Sequence, residues 1–578
     1  MKTVSRLNTT GLLKRSLLAL LLTPALASAA DRVGDFSLLD QAGYFHNMAW
    51  YNDHAAVALL VQANDSAETA AALPDYLALK QQFADQGIEF MMINPMGRNN
   101  REAVAEKLAE WGVTDVPVLM DDARVISRDL GIDRSGEVLL FDPSSFTVAY
   151  KGSVAGAEQA IGEILAGNAV SNPLVATAGS AISYDELQTL VSNEPSYVND
   201  VAPIIAENCA SCHREGGIAP FAMDSHAMVQ GWSPMIREVI MTKRMPPGQL
   251  DGHVGDFIND MLLEDSEVQT LLTWIDNGSP ADGSNDPLTE LTWSQSKWAF
   301  GEPDYIIEVP PQEIPATGVL DYIHVSVPID IEKDRWLRGS QYVAGDRTVL
   351  HHTLNSLVEP GASRRGGFLG GGNADQANIT AYIPGAEPRL NPPNTGGLLK
   401  AGSVLNLQLH YTTNGKETTD ASEIGLWFYP EGEVPEKRMS GQCACIFTPT
   451  WTNIPPGDPS FEQQASVTIA RDAYMHSFTP HMHFRGKYMR WVAEYPDGSS
   501  EELINVANYN YNWQLAYTYE EPKFMPAGTK VTAIGAFDNS PQNPFNPDPE
   551  RSVPWGQQSW DEMFFGAMSW QWAEEGGD

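Results

Sequence analysis

Between about residues 31 and 170, short apolar runs alternate with stretches of helical spacing. Ala56–Val61 is one such run, and residues 88–93 read as a second buried strand. Between them, residues 73–86 carry Leu73, Tyr76, Leu77 and Phe83 at helical spacing. Arg101–Trp111 is helical again, and Gly112 suits its end. Residues 116–120, a helix over 123–130, and strands near 138–141 and 148–150 follow. This alternation of strands and helices predicts an α/β sheet covered by helices. Over residues 195–285 the pattern turns helical: Val201, Ile204, Ile205 and Cys209 form one apolar face. Val268, Leu271, Leu272, Trp274 and Ile275 form another, ended by Asn277-Gly278. Residues 286–315 are polar, with Pro287, Pro303, Pro310, Pro311 and Pro315, and read as a linker. Beyond them helical periodicity almost vanishes. Alternating runs such as 323–327 and Val404–Tyr411, separated by Gly and Pro clusters, predict sandwich or jelly-roll β structure. The expected architecture is multidomain: α/β, then all-α, then two all-β domains over 316–437 and 438–578.

The chain has 578 residues, too many for one core at roughly 100–200 residues per domain. Its 43% hydrophobic and 19% charged residues are ordinary for a globular protein and exclude wholesale disorder. The 74 acidic and 36 basic side chains give a formal charge of −38, which disfavours nucleic acid and anionic membrane as partners. A cationic or neutral partner suits such a surface; so does no partner at all, the charge serving solubility. Residues 1–30 read as a secretory signal peptide: Lys2, Arg6, Lys14 and Arg15, an apolar stretch over 17–22, and the cleavage sites Ala25-Leu26-Ala27 and Ala27-Ser28-Ala29. No later run approaches the about 20 apolar residues of a membrane anchor. A periplasmic or secreted protein without an anchor is expected.

The four cysteines, Cys209, Cys212, Cys443 and Cys445, are too few for a disulfide scaffold. Cys209-Ala210-Ser211-Cys212-His213 is the C-x-x-C-H pattern of c-type haem attachment. Two thiols one helical turn apart bond the two vinyl groups, and the next residue's imidazole reaches the iron from the same side. A zinc site would want more Cys or His nearby, and a redox pair an α/β context. For the sixth ligand the candidates are Met223, Met228, Met235, Met241, Met245, Met261, His226 and His253. Met245 is preferred, with Met241 next, because Pro246 and Pro247 hold its loop extended. Residues 195–285 thus look like a small cytochrome c, also in Trp274-Ile275-Asp276-Asn277-Gly278.

The segment 31–170 resembles the redoxin branch of the thioredoxin-like fold, in its pattern and in Gly136-Glu137-Val138-Leu139-Leu140-Phe141-Asp142. The resemblance implies a reactive cysteine after the first core strand. Here that stretch is Gln62-Ala63-Asn64-Asp65-Ser66, and Ser135-Gly136 stands where the family has a cis-proline. Without a thiolate there is no thiol chemistry, so a docking or structural role is expected.

Seven of the twelve histidines lie in the C-terminal half. On the strand Val404–Tyr411, Asn406, Gln408 and His410 share the polar face. The adjacent His351 and His352 reach one metal only at a strand end or bulge. His481 and His483, in Pro480-His481-Met482-His483, project from one strand face, and Met563 follows in Trp560-Asp561-Glu562-Met563. Imidazole suits copper, and thioether selects Cu(I). This order of ligands resembles the copper type II, ascorbate-dependent monooxygenases that act on peptidylglycine and dopamine, over about residues 315–578. The resemblance implies an electron-transfer copper on His351, His352 and His410, and an oxygen- and substrate-binding copper on His481, His483 and Met563. His324 and His476 have no place in the pattern. Thr479, Phe565 and Ala567 stand where the peptide-amidating enzymes grip their substrate, so a peptide substrate is not implied. Phe564, Phe565 and Trp570 suggest a less polar one. Cys443-Ala444-Cys445 is open between a local disulfide, two free thiols and a metal role. The expectation is a copper monooxygenase that hydroxylates a C–H bond of a small organic molecule with O2. One covalent haem c and two copper ions would serve it, with a periplasmic donor feeding electrons through the haem. The alternatives are a haem- and copper-binding electron-transfer protein without catalysis, and a scaffold built on the thiol-free redoxin segment.

Overall fold

All six residues of the strand Ala56–Val61 are buried. A continuous apolar run needs cover on both sheet faces, and strand alternation assigns the two covers. Ala56, Ala58 and Leu60 share a core with Leu73, Tyr76, Val104, Leu108, Ala157 and Ile161 of three helices, Ala67–Phe83, Arg101–Trp111 and Val154–Leu165. Val57, Leu59 and Val61 belong to a different core, described below. The computed structural model describes residues 32–98, 101–247, 250–293, 296–361, 376–386, 388 and 390–574. The expected signal peptide over 1–30 lies outside them.

The N-terminal sheet has seven strands, in the spatial order Phe45–Asn47, Ser37–Asp40, Val118–Met120, Ile88–Asn94, Ala56–Val61, Val138–Asp142, Thr147–Gly152. The three central strands run parallel and the flanking ones antiparallel. This is the expected α/β sheet covered by helices. The two leading strands and the helix Val154–Leu165 extend the expected order. The helix expected over 73–86 starts at Ala67, where Ser66 accepts the Thr69 N–H as an N-cap. The helix expected over 123–130 is the shorter Val125–Asp129. Where the redoxin thiols would lie, Asn94 donates to Gln62 (2.6 Å), Gln62 to Asn64 (2.7 Å) and Ser66 to Ser135 (2.8 Å). Residues 179–181 cross that end, with Ser180 N–H donating to Ser135.

The other face of the sheet is covered by the haem-motif segment. Val57, Leu59, Val61, Met91, Ile93 and Phe141 share one core with Ile204, Ile205, Ile236, Ile240, Leu271 and Trp274. The latter come from the helices Ala202–Asn208, His226–Met241 and Asp265–Asp276. Ion pairs rim this contact: Arg237 with Asp129 (2.5 Å), Arg128 with Asp276 (3.2 Å) and Arg98 with Asp265 (3.1 Å). The chain beyond Met245 docks on the far β structure, where Leu250 pairs with Val506 and Phe257 with Tyr519. Asp251, fully buried, is held by Arg101 of the N-terminal module and lies beside Asn505 of the C-terminal one. Asn505 in turn donates to the Gly43 carbonyl (2.9 Å). Gly43 has φ 79°, and a Cβ there would fall 2.6 Å from the Asn505 amide, so a side chain is excluded twice over.

The C-terminal half is built of antiparallel sheets. In the first unit, Ile323–Pro328, Val404–Tyr411 and Leu350–Val358 form one sheet, and Gly397–Leu399, Arg335–Val343, Glu423–Phe428 and Tyr305–Glu308 another. Both feed one core around Leu337, Leu405, Leu407, Leu409, Ile424 and Leu426. In the second, Ser440–Ile446, Phe564–Trp572, Ala473–His481 and Tyr517–Met525 face Phe461–Thr468, Lys530–Phe537, Gly486–Glu494 and Ser500–Val506 across Phe478, Met489, Trp491 and Phe564. The linker expected over 286–315 is corrected in its last third. Tyr305–Glu308 pairs with Glu423–Phe428, and Gln312–Ile314 with Thr418–Asp420. Both are short edge strands, and Pro303, Pro310, Pro311 and Pro315 flank them on either side, which made the stretch read as linker. Cys443 and Cys445 form a local disulfide on the strand Ser440–Ile446. Among the described residues no helix is long and apolar enough to cross a membrane.

Candidate metal centres

The strands Leu350–Val358 and Val404–Tyr411 pair so that His352 lies opposite His410, with a register shift between Leu350 and His352. Such a shift re-aims one side chain. Both adjacent histidines consequently stay near the site: their ring centroids are 4.9 Å apart, and His352 is 4.0 Å from His410. From the second β unit, His481 and His483 lie 5.2 Å apart. His481 ends its strand, and His483 has left it. The expectation of two imidazoles on one strand face is therefore corrected. Tyr509 grips the intervening Met482, its hydroxyl accepting from the Met482 N–H (3.0 Å) and donating to its carbonyl (2.7 Å). The buried Glu562 carboxylate accepts from the N–H groups of His483 and Arg485 (2.8 and 2.7 Å). These bonds turn the chain off the sheet. The two groups meet across the units, with His352 and His481 6.1 Å apart.

Each ring has a partner that fixes which nitrogen is left over. His481 Nδ1–H donates to Gln514 Oε1 (2.5 Å), and its Nε2 is buried without a partner. His483 Nδ1–H donates to the Asp561 carbonyl (3.2 Å). His410 is held the other way: Nε2–H donates to Gln408 Oε1 (2.9 Å), and Nδ1 is buried and unpaired. The His351 and His352 Nδ1 atoms face each other at 2.7 Å, and His352 Nε2 has no partner. Tyr322 stacks on His410 at 3.5 Å, Tyr511 on His351 at 4.6 Å, and Phe565 on His481 at 5.5 Å. Burial, then the neighbouring imidazoles, hold these rings neutral. His410 is pushed down to about 2 and His483 to about 3. Burial takes His481 to about 4 against its bond to Gln514, and His351 and His352 also titrate low. Met563 is buried between Glu562, which binds the His483 backbone, and Phe565, which stacks on His481.

The rings do not close on one point: among the described residues no three His, Cys, Asp or Glu side chains are set to hold a single ion. The donors nevertheless fit one. A neutral imidazole with a buried, unpaired nitrogen pays for desolvation with no return, and it is the form that binds copper. His324 stands outside the five; Gln408 bridges it to His410. His476 is also apart, buried with an unpaired Nε2. Gln408, Gln514, Tyr322 and Tyr511 escaped the sequence reading. Only Gln408 carried a signal, its place two residues before His410 on the same strand face. Replacing Gln514 by Leu is expected to weaken copper binding at His481 and His483 roughly 10–100-fold, measured by competition with a chelator of known affinity.

In the haem-motif segment Cys209 and Cys212 are both free thiols. Burial raises the Cys209 thiol to about 12, the neutral form expected beside an apolar group. His213 Nδ1–H donates to the Phe221 carbonyl (3.1 Å), which leaves Nε2 for an iron. Burial keeps this ring neutral too. These residues fit covalent haem attachment. Met245 lines a cavity of about 130 Å³, open to solvent, between the three modules; Met241, Met261, Leu263, Val268 and Asn508 line it with Met245. His213 lines another, with Met223 and Trp293. His213 and Met245 thus line different cavities: Met241 shares that of Met245, and Met223 that of His213.

No protein-family model matches the chain, and no curated protein does. Solved structures do, over the N-terminal part. A hypothetical protein from Sinorhizobium meliloti is 20% identical over 26% of this chain and 92% of its own, with a TM-score of 0.24. A thioredoxin family thiol:disulfide interchange protein from Chlorobium tepidum is 17% identical over 24% and 98%, with a TM-score of 0.21. The peroxidoxin BcpB from Mycobacterium tuberculosis is 19% identical over 24% and 96%, with a TM-score of 0.21.

Proposed function

We propose that the protein is an exported copper-dependent monooxygenase that hydroxylates a C–H bond of a small, weakly polar molecule. The observation that carries this reading is the convergence of five neutral imidazoles from two β units, three of them with buried, unpaired nitrogens. His351, His352 and His410 would hold one copper, and His481, His483 and Met563 the other. Copper there would supply the activation of O2. The balance is one substrate C–H, one O2, two electrons and two protons giving one alcohol and one water. The electrons would come from a periplasmic donor, through a haem held by Cys209, Cys212 and His213; Met245, expected as a further ligand, lines a different cavity from His213.

The chain's own residues set up the rest. Gln514 and the Asp561 carbonyl hold His481 and His483 with Nδ1 protonated and Nε2 presented. Gln408 holds His410 with Nδ1 presented. Glu562 and Arg485 are both fully buried and anchor the turn that carries His483. Phe565 supplies an apolar flank to His481.

Metal analysis and the pyridine haemochrome spectrum of protein matured in a periplasm test this first. One haem and two coppers per chain are expected, with substrate-dependent O2 consumption. Met563→Leu should abolish that consumption while haem reduction persists. Copper and haem without O2 consumption on any substrate would reassign the chain to electron transfer. Haem with no copper would leave the histidine cluster structural.

A further inference from the structure

A cavity of about 390 Å³, open to solvent, lies between the N-terminal module and the second β unit, and its lining contains none of the five clustered histidines. Its size is at the lower end of the about 300–1,000 Å³ typical of small-molecule sites. The walls are mainly aromatic. Tyr44, Phe45, Trp50 and Tyr51 come from the N-terminal module, and Tyr488 from the strand Gly486–Glu494. Contacts across the modules fix these rings. Tyr44 meets Tyr488 edge-on at 5.3 Å. Arg490 lies over Tyr44 (4.4 Å) and donates to the Ala42 carbonyl (3.3 Å). Phe45 packs on Trp50 at 5.4 Å. The polar groups in the lining decide what the cavity can take. Asp40 already accepts three hydrogen bonds, from the Ala42 and Tyr44 N–H groups (2.8 and 3.0 Å) and from His46 Nε2–H (3.0 Å). His46 Nδ1 meets the Tyr51 hydroxyl (2.8 Å), and Asp115 pairs with Lys80 (2.5 Å). Lys487 differs from these. Its ammonium lies 5.7 Å from the centre of the Trp50 ring and donates to the Pro459 carbonyl (2.9 Å). No carboxylate among the described residues stands within ion-pair distance of it. Burial pushes Lys487 below the usual lysine range, and only Asp538 and Asp458, from further off, oppose this.

We propose that this cavity binds a small aromatic carboxylate, its ring against Trp50 and Phe45 and its carboxylate on the Lys487 ammonium. The reading is independent of haem and copper. Flat apolar walls favour a planar ring, which stacks or packs edge-on against them. A partly desolvated ammonium whose one close partner is a neutral carbonyl gains from an anion, since a charge-assisted hydrogen bond is about twice as strong as a neutral one. The two carboxylates in the lining do not oppose this: Asp40 is held by three donors and Asp115 by Lys80. A cationic ligand fits less well. Lys487 already takes the cation–π position on Trp50, and a second cation beside it would be repelled. Because the walls come from two modules, the ligand would also tie them together and stabilise the folded chain.

The test is isothermal titration calorimetry of the full chain with benzoate and with benzyl alcohol, its uncharged counterpart, alongside thermal unfolding with and without each. Benzoate is expected to bind, to raise the unfolding midpoint, and to bind at least about tenfold more tightly than benzyl alcohol. Lys487→Met keeps the length of the side chain and removes the charge. It should weaken benzoate about tenfold and leave benzyl alcohol unchanged. Trp50→Ala, on the opposite module, should weaken both ligands about tenfold. Unfolding midpoints of the ligand-free variants report whether each still folds, and the two variants stand on different modules, so the loss of one leaves the other to decide. No heat and no change in midpoint with millimolar benzoate on the wild-type chain would overturn the proposal. Benzoate binding that survives both substitutions would also overturn it, since the acid would then sit elsewhere, as on a bound metal ion. Equal affinity for benzyl alcohol and benzoate would overturn the acid as the ligand and leave a pocket for neutral rings.

Discussion

Through His410, His481, His483 and Glu562 together, metal-free protein is expected to lose about 3 kcal/mol of folding stability between pH 6.5 and pH 5. His410, His481 and His483 are nearly fully buried and stay neutral down to about 2, 4 and 3. In the unfolded chain each takes a proton near pH 6.5. Their folded values lie below the unfolded one, so the unfolded state binds more protons across this window and stability falls as pH falls. Each contributes up to about 1.4 kcal/mol per pH unit, and the three together lose about 5 kcal/mol over this interval. Glu562 opposes them. Burial lifts its carboxyl to about 8 against two N–H donors and Arg485. Its folded value lies above its unfolded one, so its contribution grows by about 2 kcal/mol over the same fall in pH. The net loss is a large share of the about 5–15 kcal/mol typical of a folded protein. Copper competes with the same protons, so loaded protein should resist acid better. Denaturant titrations at the two pH values, with and without copper, measure the effect. A flat response in metal-free protein would show that the imidazoles are hydrated and not buried as described.

Arg101→Ala should cost about 3–5 kcal/mol, because it leaves the Asp251 carboxylate buried and unpaired. Arg101 NH2 donates to Asp251 Oδ1 at 2.6 Å, and the Asp251 side chain has no exposed surface. Asn505 remains as a donor to the same carboxylate, at 3.3 Å, but cannot neutralise it. Replacing both members, as Arg101→Met with Asp251→Leu, should restore most of the loss, since an apolar pair carries no desolvation penalty. Equilibrium unfolding of the single and double variants decides the matter. A cost below about 1 kcal/mol would fit a solvated pair and not a buried one.

Much of the fold could be read from the chain. The helix Arg101–Trp111 was set by its apolar spacing and by Gly112, whose φ of 71° needs a glycine. The expectation of a haem rests on one motif, two cysteines and a histidine at fixed spacing. The histidines that the structure gathers were singled out only as a set, through resemblance, since no single one of them is distinctive. What escaped lies in contacts between distant segments. The run Ala56–Val61 announced that both faces of its sheet are covered, but nothing local said that the haem module is the second cover. Tyr305–Glu308 and Gln312–Ile314 are only four and three residues long and hid between the flanking prolines. The departure of His483 from its strand depends on Glu562, 79 residues later, which no periodicity reports.

The shared core and the Asn505–Gly43 bond have a consequence for how the molecule is made. That bond joins residues 462 positions apart, and Arg237 reaches back 108 positions to Asp129. Contacts this distant in sequence slow folding, because loop-closure entropy must be met before they form. The N-terminal sheet is synthesised first, yet one of its apolar faces has no cover until the helices Ala202–Asn208 and Asp265–Asp276 exist. During biogenesis Val57, Leu59, Val61 and Phe141 therefore stand open to water, an aggregation hazard of the kind that chaperones manage. Folding of residues 202–276 and completion of the N-terminal sheet become one event, and a chain truncated before residue 277 would carry the sticky face without its lid.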